Sequence, residues 1–145
     1  MRAISLWQPW AQLLVVGVKL HETRGRALPT AAINVPTAIH ASKRPIRRAE
    51  LGVLHDVCVS HFGSKYITTL PRQAILGRVT FVSSTPTEEH PAAGTIDLMC
   101  GNYAPGRHAW RAENPIPAPV AIPYVGRQYW FSIPDELLLR AREVA

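Results

Sequence analysis

Proline occupies every second position of the run Asn114-Pro115-Ile116-Pro117-Ala118-Pro119. Each proline lacks the N–H that an inner strand must donate to its ladder, so this run is barred from a central place in any sheet. Candidate strands flank it, at residues 107–111 and 120–124. The rest of the 13 prolines are spread among turns, and the chain reads as short segments between turn signals.

Residues 2–6 read as a strand, and residues 8–16 as a short helix with Pro9 in its first turn and Gly17 just past its end. Beyond the glycine, residues 20–24 run extended. Residues 37–41 form a further strand, entered after Pro36. In residues 47–61, Leu51, Leu54, Val57 and Cys58 recur at spacings of three and four, which predicts a helix closed by Gly63. Residues 73–83 give the clearest strand, with Ile75, Val79, Phe81 and Val82 apolar and Gly77 marking a bend or bulge. Residues 84–103 show no periodicity and read as a loop able to flap over a cleft. A last strand is expected over residues 129–133, and a helix over 134–144. Several strands with about three helices that do not alternate with them predict a barrel-based α+β domain and argue against a doubly wound sheet.

At 145 residues the chain is expected to be one domain with a real core. Its longest apolar stretch, residues 11–18, is too short and interrupted to span a bilayer, and the N-terminus shows no secretory pattern, so the expected location is the cytoplasm. The formal charge of +6 favours an anionic partner, with nucleic acid ahead of a membrane surface because no basic amphipathic helix is evident. Cys58 and Cys100 match neither a paired motif nor a disulfide framework and read as idle thiols. The histidines and cysteines form no H-x-E, H-E-x-x-H or C-x-x-C pattern, and no P-loop or dinucleotide fingerprint is present. No metal and no cofactor is expected.

The segment Gly17-Val18-Lys19-Leu20-His21-Glu22-Thr23-Arg24 concentrates an ammonium, a carboxylate and a guanidinium directly after an apolar helix. Period-2 alternation points Glu22 and Arg24 one way, and His21 and Thr23 the other. A lysine beside a carboxylate in a half-buried cleft can serve as a base, an acid or an oxyanion stabiliser; the trio can equally bind a nucleobase and its phosphate. On spacing alone, an edge strand with a surface ion pair fits as well. Four cations at Lys43, Arg44, Arg47 and Arg48 make the best phosphate-contacting patch, with a solvated loop as the plain alternative.

The pattern G-x-K-x-x-E-x-R, preceded by Ser5-Leu6-Trp7-Gln8-Pro9-Trp10-Ala11 and followed by Ile39-His40-Ala41-Ser42-Lys43, resembles the ASCH family, which is related to the PUA RNA-binding fold. Gly77-Arg78-Val79, Trp110 and Gly126-Arg127-Gln128-Tyr129-Trp130 extend the resemblance along nearly the whole chain. It implies a PUA-like small mixed β-barrel with flanking helices and a cleft around the signature. The implied function is binding of RNA or a modified nucleoside or nucleotide. Gln8, Trp10, Lys19, Glu22, Arg24, Ser42, Lys43 and Arg44 are the implied or candidate contacts, and one of Arg107 and His108 should face the cleft. Trp7, Tyr103, Trp110 and Trp130 offer further ring faces, Trp130 more as barrel packing.

The resemblance also implies a metal-independent hydrolase as the alternative. One branch consists of small amidohydrolases acting on N4-acetylcytidine with lysine, threonine and glutamate; its threonine aligns with Glu22, so Thr23 could serve only if a bulge turned it inward. With Lys19, Glu22 and Thr23 as the catalytic candidates, that chemistry departs from the branch's pattern. A second branch consists of single-strand ribonucleases, for which His21, His40 and His108 admit a two-histidine scheme. A protein-interaction module in transcription or translation is the third reading.

Overall fold

The computed structural model describes residues 1–89 and 94–138. Six strands form one mixed, curled sheet: β1 (Arg2–Leu6), β2 (His21–Arg24), β3 (Pro36–Ala41), β4 (Ala74–Pro86), β5 (His108–Pro123) and β6 (Trp130–Ser132). Their order across the sheet is β2-β5-β4-β3-β1-β6. Among the described residues, β1 and β3 are the one neighbouring pair that runs parallel. A parallel neighbour requires a long crossover, and that connection carries helix α1 (Trp10–Val15) and strand β2. Helices α2 (Leu54–Phe62), α3 (Tyr66–Thr69) and α4 (Thr95–Met99) complete the α+β, barrel-like arrangement.

Helix α1 is wedged between two cores. Ala11, Leu14 and Val15 pack with Ile4, Leu6, Ile39, Val79, Phe81 and Trp110 of the sheet. Leu13, on the other side of the helix, packs with Leu54, Cys58, Tyr66 and Cys100. Full burial of such side chains stabilises the fold by about 1.5–3 kcal/mol each, which is why a six-residue helix holds so firm a position.

Three expectations need correction. The strands expected at 107–111 and 120–124 are one strand, β5, and the proline run lies inside it. The ladder rule still holds, because β2 pairs only with His108 to Arg111; the proline half has β4 on one side and forms a sheet edge. The register shifts three times along β4, first between Ile75 and Gly77, where the sequence predicts a bulge. Gly77 is at φ +150°, and a Cβ there would lie 2.4 Å from the Ile116 carbonyl oxygen. Residues 84–103 are not all loop: β4 runs on to Pro86, and α4 occupies part of the rest. Pairing of Ser84, Thr85 and Pro86 with β5 holds that strand end, so it needs no alternation of burial. The helix expected over 47–61 begins only at Leu54, after a 3₁₀ turn at Arg48–Glu50.

The C-terminal helix is under way at residues 136–138, and its expected continuation to 144 lies outside the described residues. No helix among the described residues is long and apolar enough to cross a membrane.

Candidate nucleotide-binding cleft

The end of α1 sets up the site. Gly17, at φ +80°, adopts the left-handed conformation that ends a helix; its N–H bonds Leu14 O while Val18 N–H bonds Leu13 O. Lys19 N–H also reaches Leu13 O, so the lysine leaves the helix on a fixed path into β2.

Lys19, Glu22 and Arg24 converge. Lys19 Nζ donates to Glu22 Oε1 at 2.8 Å, and Arg24 Nη2 donates to Glu22 Oε2 at 3.3 Å and to Ser5 O at 3.1 Å. Lys19 and Glu22 are only 3% and 5% exposed, which makes this an interior ion pair and removes the surface-strand alternative. Burial works to raise the Glu22 pKa, but the charges of Lys19 and Arg24 outweigh it and hold the carboxyl below its ordinary range. Glu22 is therefore an ionised acceptor with a defined direction.

Asp97 of α4 braces the strand from the other side. Its Oδ1 accepts from Leu20 N and His21 N, and its Oδ2 accepts from His21 Nδ1 and the Tyr103 hydroxyl. His21 thus points away from Glu22, as alternation predicts. Because β2 is an edge strand, these contacts also cover N–H groups that would otherwise be open to another chain.

Above the trio lies an open cleft of about 840 Å³, lined in part by Ser5, Trp7, Trp10, Lys19, Glu22 and Thr23. Arg24, His40, Ser42, Lys43 and Arg107 continue the wall, and residues 99–102 and 125–129 close its ends. The volume falls within the range of small-ligand sites. Thr23 faces the opposite side of β2 from Glu22, yet still lines the cleft, since residues 99–102 rise beyond the strand edge and Asn102 N donates to Thr23 Oγ1.

Three candidates do not line the cleft. Gln8 is 1% exposed and structural: Nε2 donates to Pro71 O and Oε1 accepts from Gln12 N. Arg44 stacks on Trp7 at 3.7 Å and pairs with Glu50, so its head group is turned to the protein. His108 sits opposite Arg24 on β5 and leaves the cleft to Arg107. Trp110 and Trp130 stack on each other in the core, while Tyr103 bonds Asp97.

Several lining residues were given no binding role from the sequence, His40 being considered only for ribonuclease chemistry. His40 is held at both nitrogens: Nε2 donates to Tyr124 O at 2.7 Å, and Nδ1 lies 2.8 Å from Ser5 Oγ. Burial lowers its pKa from the ordinary 6.5, partly offset by the Tyr124 carbonyl. Ser5 Oγ also donates to Arg127 O, and Gly126 rests against the imidazole. Tyr129 lies at the rim, 63% exposed and at φ +65°. The Gly-Arg-Gln-Tyr-Trp motif was the available signal, but its resemblance carried no side-chain roles.

No protein-family model matches the chain, and a comparison with curated proteins finds no match. Among solved structures, the ASCH protein of Zymomonas mobilis is similar with a TM-score of 0.60 at 13% identity, covering 99% of this chain and 93% of the other. The fold is that of an ASCH domain. Two single-substitution variants of the same Zymomonas protein, one serine to alanine and one tyrosine to phenylalanine, match with TM-scores of 0.56 and 0.57 at 15% and 14% identity. Each likeness again covers 99% of this chain and, in turn, 94% and 96% of the other, so the ASCH architecture spans nearly all of both proteins.

Proposed function

We propose that this protein binds RNA or a modified nucleoside in the cleft above Lys19, Glu22 and Arg24. The observation that carries the reading is the convergence of these three groups at the floor of a solvent-reachable hollow. Ionised Glu22 can accept from an exocyclic amine such as that of cytosine, while Lys19 and Arg24 hold the carboxylate in place. Trp7, Trp10 and Tyr129 offer ring faces for an unpaired base at the rim. Ser42, Lys43 and Arg107 supply the surrounding polar and cationic contacts.

A metal-independent hydrolase is the second reading, supported by the presence of Thr23 in the cleft wall. Two features place it behind binding. Lys19 Nζ is committed to Glu22, so the ammonium has no free lone pair to activate the Thr23 hydroxyl. Of the three histidines considered for ribonuclease chemistry, only His40 lines the cleft; His21 is tied to Asp97 and His108 lies off it.

Fluorescence anisotropy with labelled single-stranded RNA and with a cytidine conjugate tests binding, and product analysis with the same RNA and with N4-acetylcytidine tests turnover. Glu22→Gln keeps the side-chain shape but removes the anionic acceptor, so base-dependent affinity should fall by about tenfold or more. The same change leaves Lys19 buried beside a neutral amide and should cost about 3 kcal/mol in urea denaturation. Retained affinity in a folded Glu22→Gln protein would refute the base contact.

A further inference from the structure

The cleft holds more positive charge than its own carboxylates neutralise. Lys19, Arg24, Lys43, Arg107 and Arg127 line it, against Glu22 and Glu50. Glu50 is engaged by Arg44 and Arg47, and Glu22 is shared between Lys19 and Arg24. The inner trio therefore carries one surplus positive charge, with Lys19 and Glu22 buried and Arg24 partly exposed.

Arg107 adds a second. Its Nε donates to Asn102 O at 3.0 Å and its Nη2 to Thr23 O at 3.1 Å. Both acceptors are neutral carbonyls, and no ion pair joins Arg107 to a carboxylate among the described residues. Arg24 lines the same cleft, its guanidinium held on Ser5 O and Glu22 Oε2. Thr23 Oγ1 accepts from Asn102 N, which leaves its hydroxyl proton to donate. The backbone at Gly101 closes this end of the cleft, where a Cβ would lie 3.1 Å from Thr23 Oγ1.

We propose that Arg24, Arg107 and Thr23 form a phosphomonoester site, so that the ligand is a nucleoside monophosphate unit, free or at the end of a strand, and not an unphosphorylated nucleoside. This rests on the reading of Glu22 as the base contact. A phosphomonoester is close to a dianion at neutral pH, its second pKa being about 6, and so gains more from a cleft whose cations outnumber its carboxylates than an internal phosphodiester, which brings one charge. Arg107 is fixed in advance by its two carbonyl contacts, so little side-chain freedom is lost when the anion arrives.

Isothermal titration calorimetry of the full chain at low salt, with cytidine, cytidine 5′- and 3′-monophosphate and inorganic phosphate, tests the proposal. One of the monophosphates should bind about tenfold or more tightly than cytidine at pH 7.5, and the gap should narrow below about pH 6 as the phosphate takes its second proton. Arg107→Gln should close the gap, lowering monophosphate affinity by more than it lowers cytidine affinity. Equal affinities for cytidine and both monophosphates would overturn the phosphate site and leave the Glu22 contact standing. If inorganic phosphate and a monophosphate bind through Arg107 while cytidine alone does not, the phosphate site is supported and the base contact falls. Should Arg107→Gln unfold, the wild-type gap and its pH dependence remain decisive. Tetracytidylate with and without a 5′-phosphate separates the sources: a gain from the terminal phosphate assigns a strand end, and a gain confined to the mononucleotide assigns the free form.

Discussion

Asp97 receives four hydrogen bonds from residues near the start of β2 and from Tyr103, and its carboxylate is what keeps the first residues of the signature straight. Burial alone would raise its pKa; the hydrogen bonds from His21, Leu20 and Tyr103 together with the His21 charge outweigh that and lower it from 3.8 to about 2. A depressed carboxylate contributes stability that is complete above its unfolded pKa and disappears as pH falls through the folded one. The contribution should therefore be about 2 kcal/mol at pH 7 and vanish between about pH 4 and pH 2. Asp97→Asn should lose a similar amount in urea denaturation at pH 7 and show a flatter acid limb; an unchanged limb would remove Asp97 as the clamp. None of this was legible beforehand. Asp97 lies in a stretch without periodicity, and its β2 partners are 76 and 77 positions away. By contrast, the shared direction of Glu22 and Arg24 was legible from alternation past a glycine helix stop, whereas the cleft that gathers Lys19 with them was implied only by the family resemblance.

The elements divide along the same line. β1 and α1 could be placed from Pro9, Gly17 and the apolar run, since local rules decide them. The proline run could be barred from a central ladder, but its continuity as β5 depends on where β2 ends, which is a pairing fact. The segment 124–129 is the element-scale feature most consequential for the cleft, and only its contacts reveal it. Tyr124 O and Arg127 O are tied to His40 and Ser5, and Gly126 lies flat against the imidazole. A Cβ at position 126 would come within 2.4 Å of the ring, and that ring is held at both nitrogens and cannot swing aside without losing Tyr124 or Ser5. Gly126→Ala should therefore push the wall outward, costing about 1–3 kcal/mol by overpacking and weakening ligand affinity by about tenfold. Thermal melts and anisotropy on the same protein check both; full affinity with native stability would show that the wall is not fixed by His40.

At the scale of the molecule, a net charge of +6 in a chain this small is a long-range attraction for a polyanion, and the structure shows how it is distributed. Part of it, at Arg24 and Arg107, lies in the cleft and acts at contact distance. Another part, at Arg47 and Arg48, is exposed outside the cleft lining, with Arg47 paired to Glu50 at 3.6 Å. The two groups have different signatures. Cleft contacts belong to one nucleotide and should be nearly indifferent to strand length, whereas the outer cluster can act only on phosphates of a strand extending past the cleft. For single strands each neutralised phosphate contributes a slope of about −0.7 to the logarithm of affinity against the logarithm of salt. If the cluster engages, replacing both Arg47 and Arg48 by glutamine should reduce the slope for labelled single-stranded RNA by about 1.4 and leave mononucleotide affinity unaltered. Anisotropy titrations at several salt concentrations measure this directly. An unchanged slope would assign the outer cations to solvent, and the ligand would then be a nucleotide held by the cleft alone.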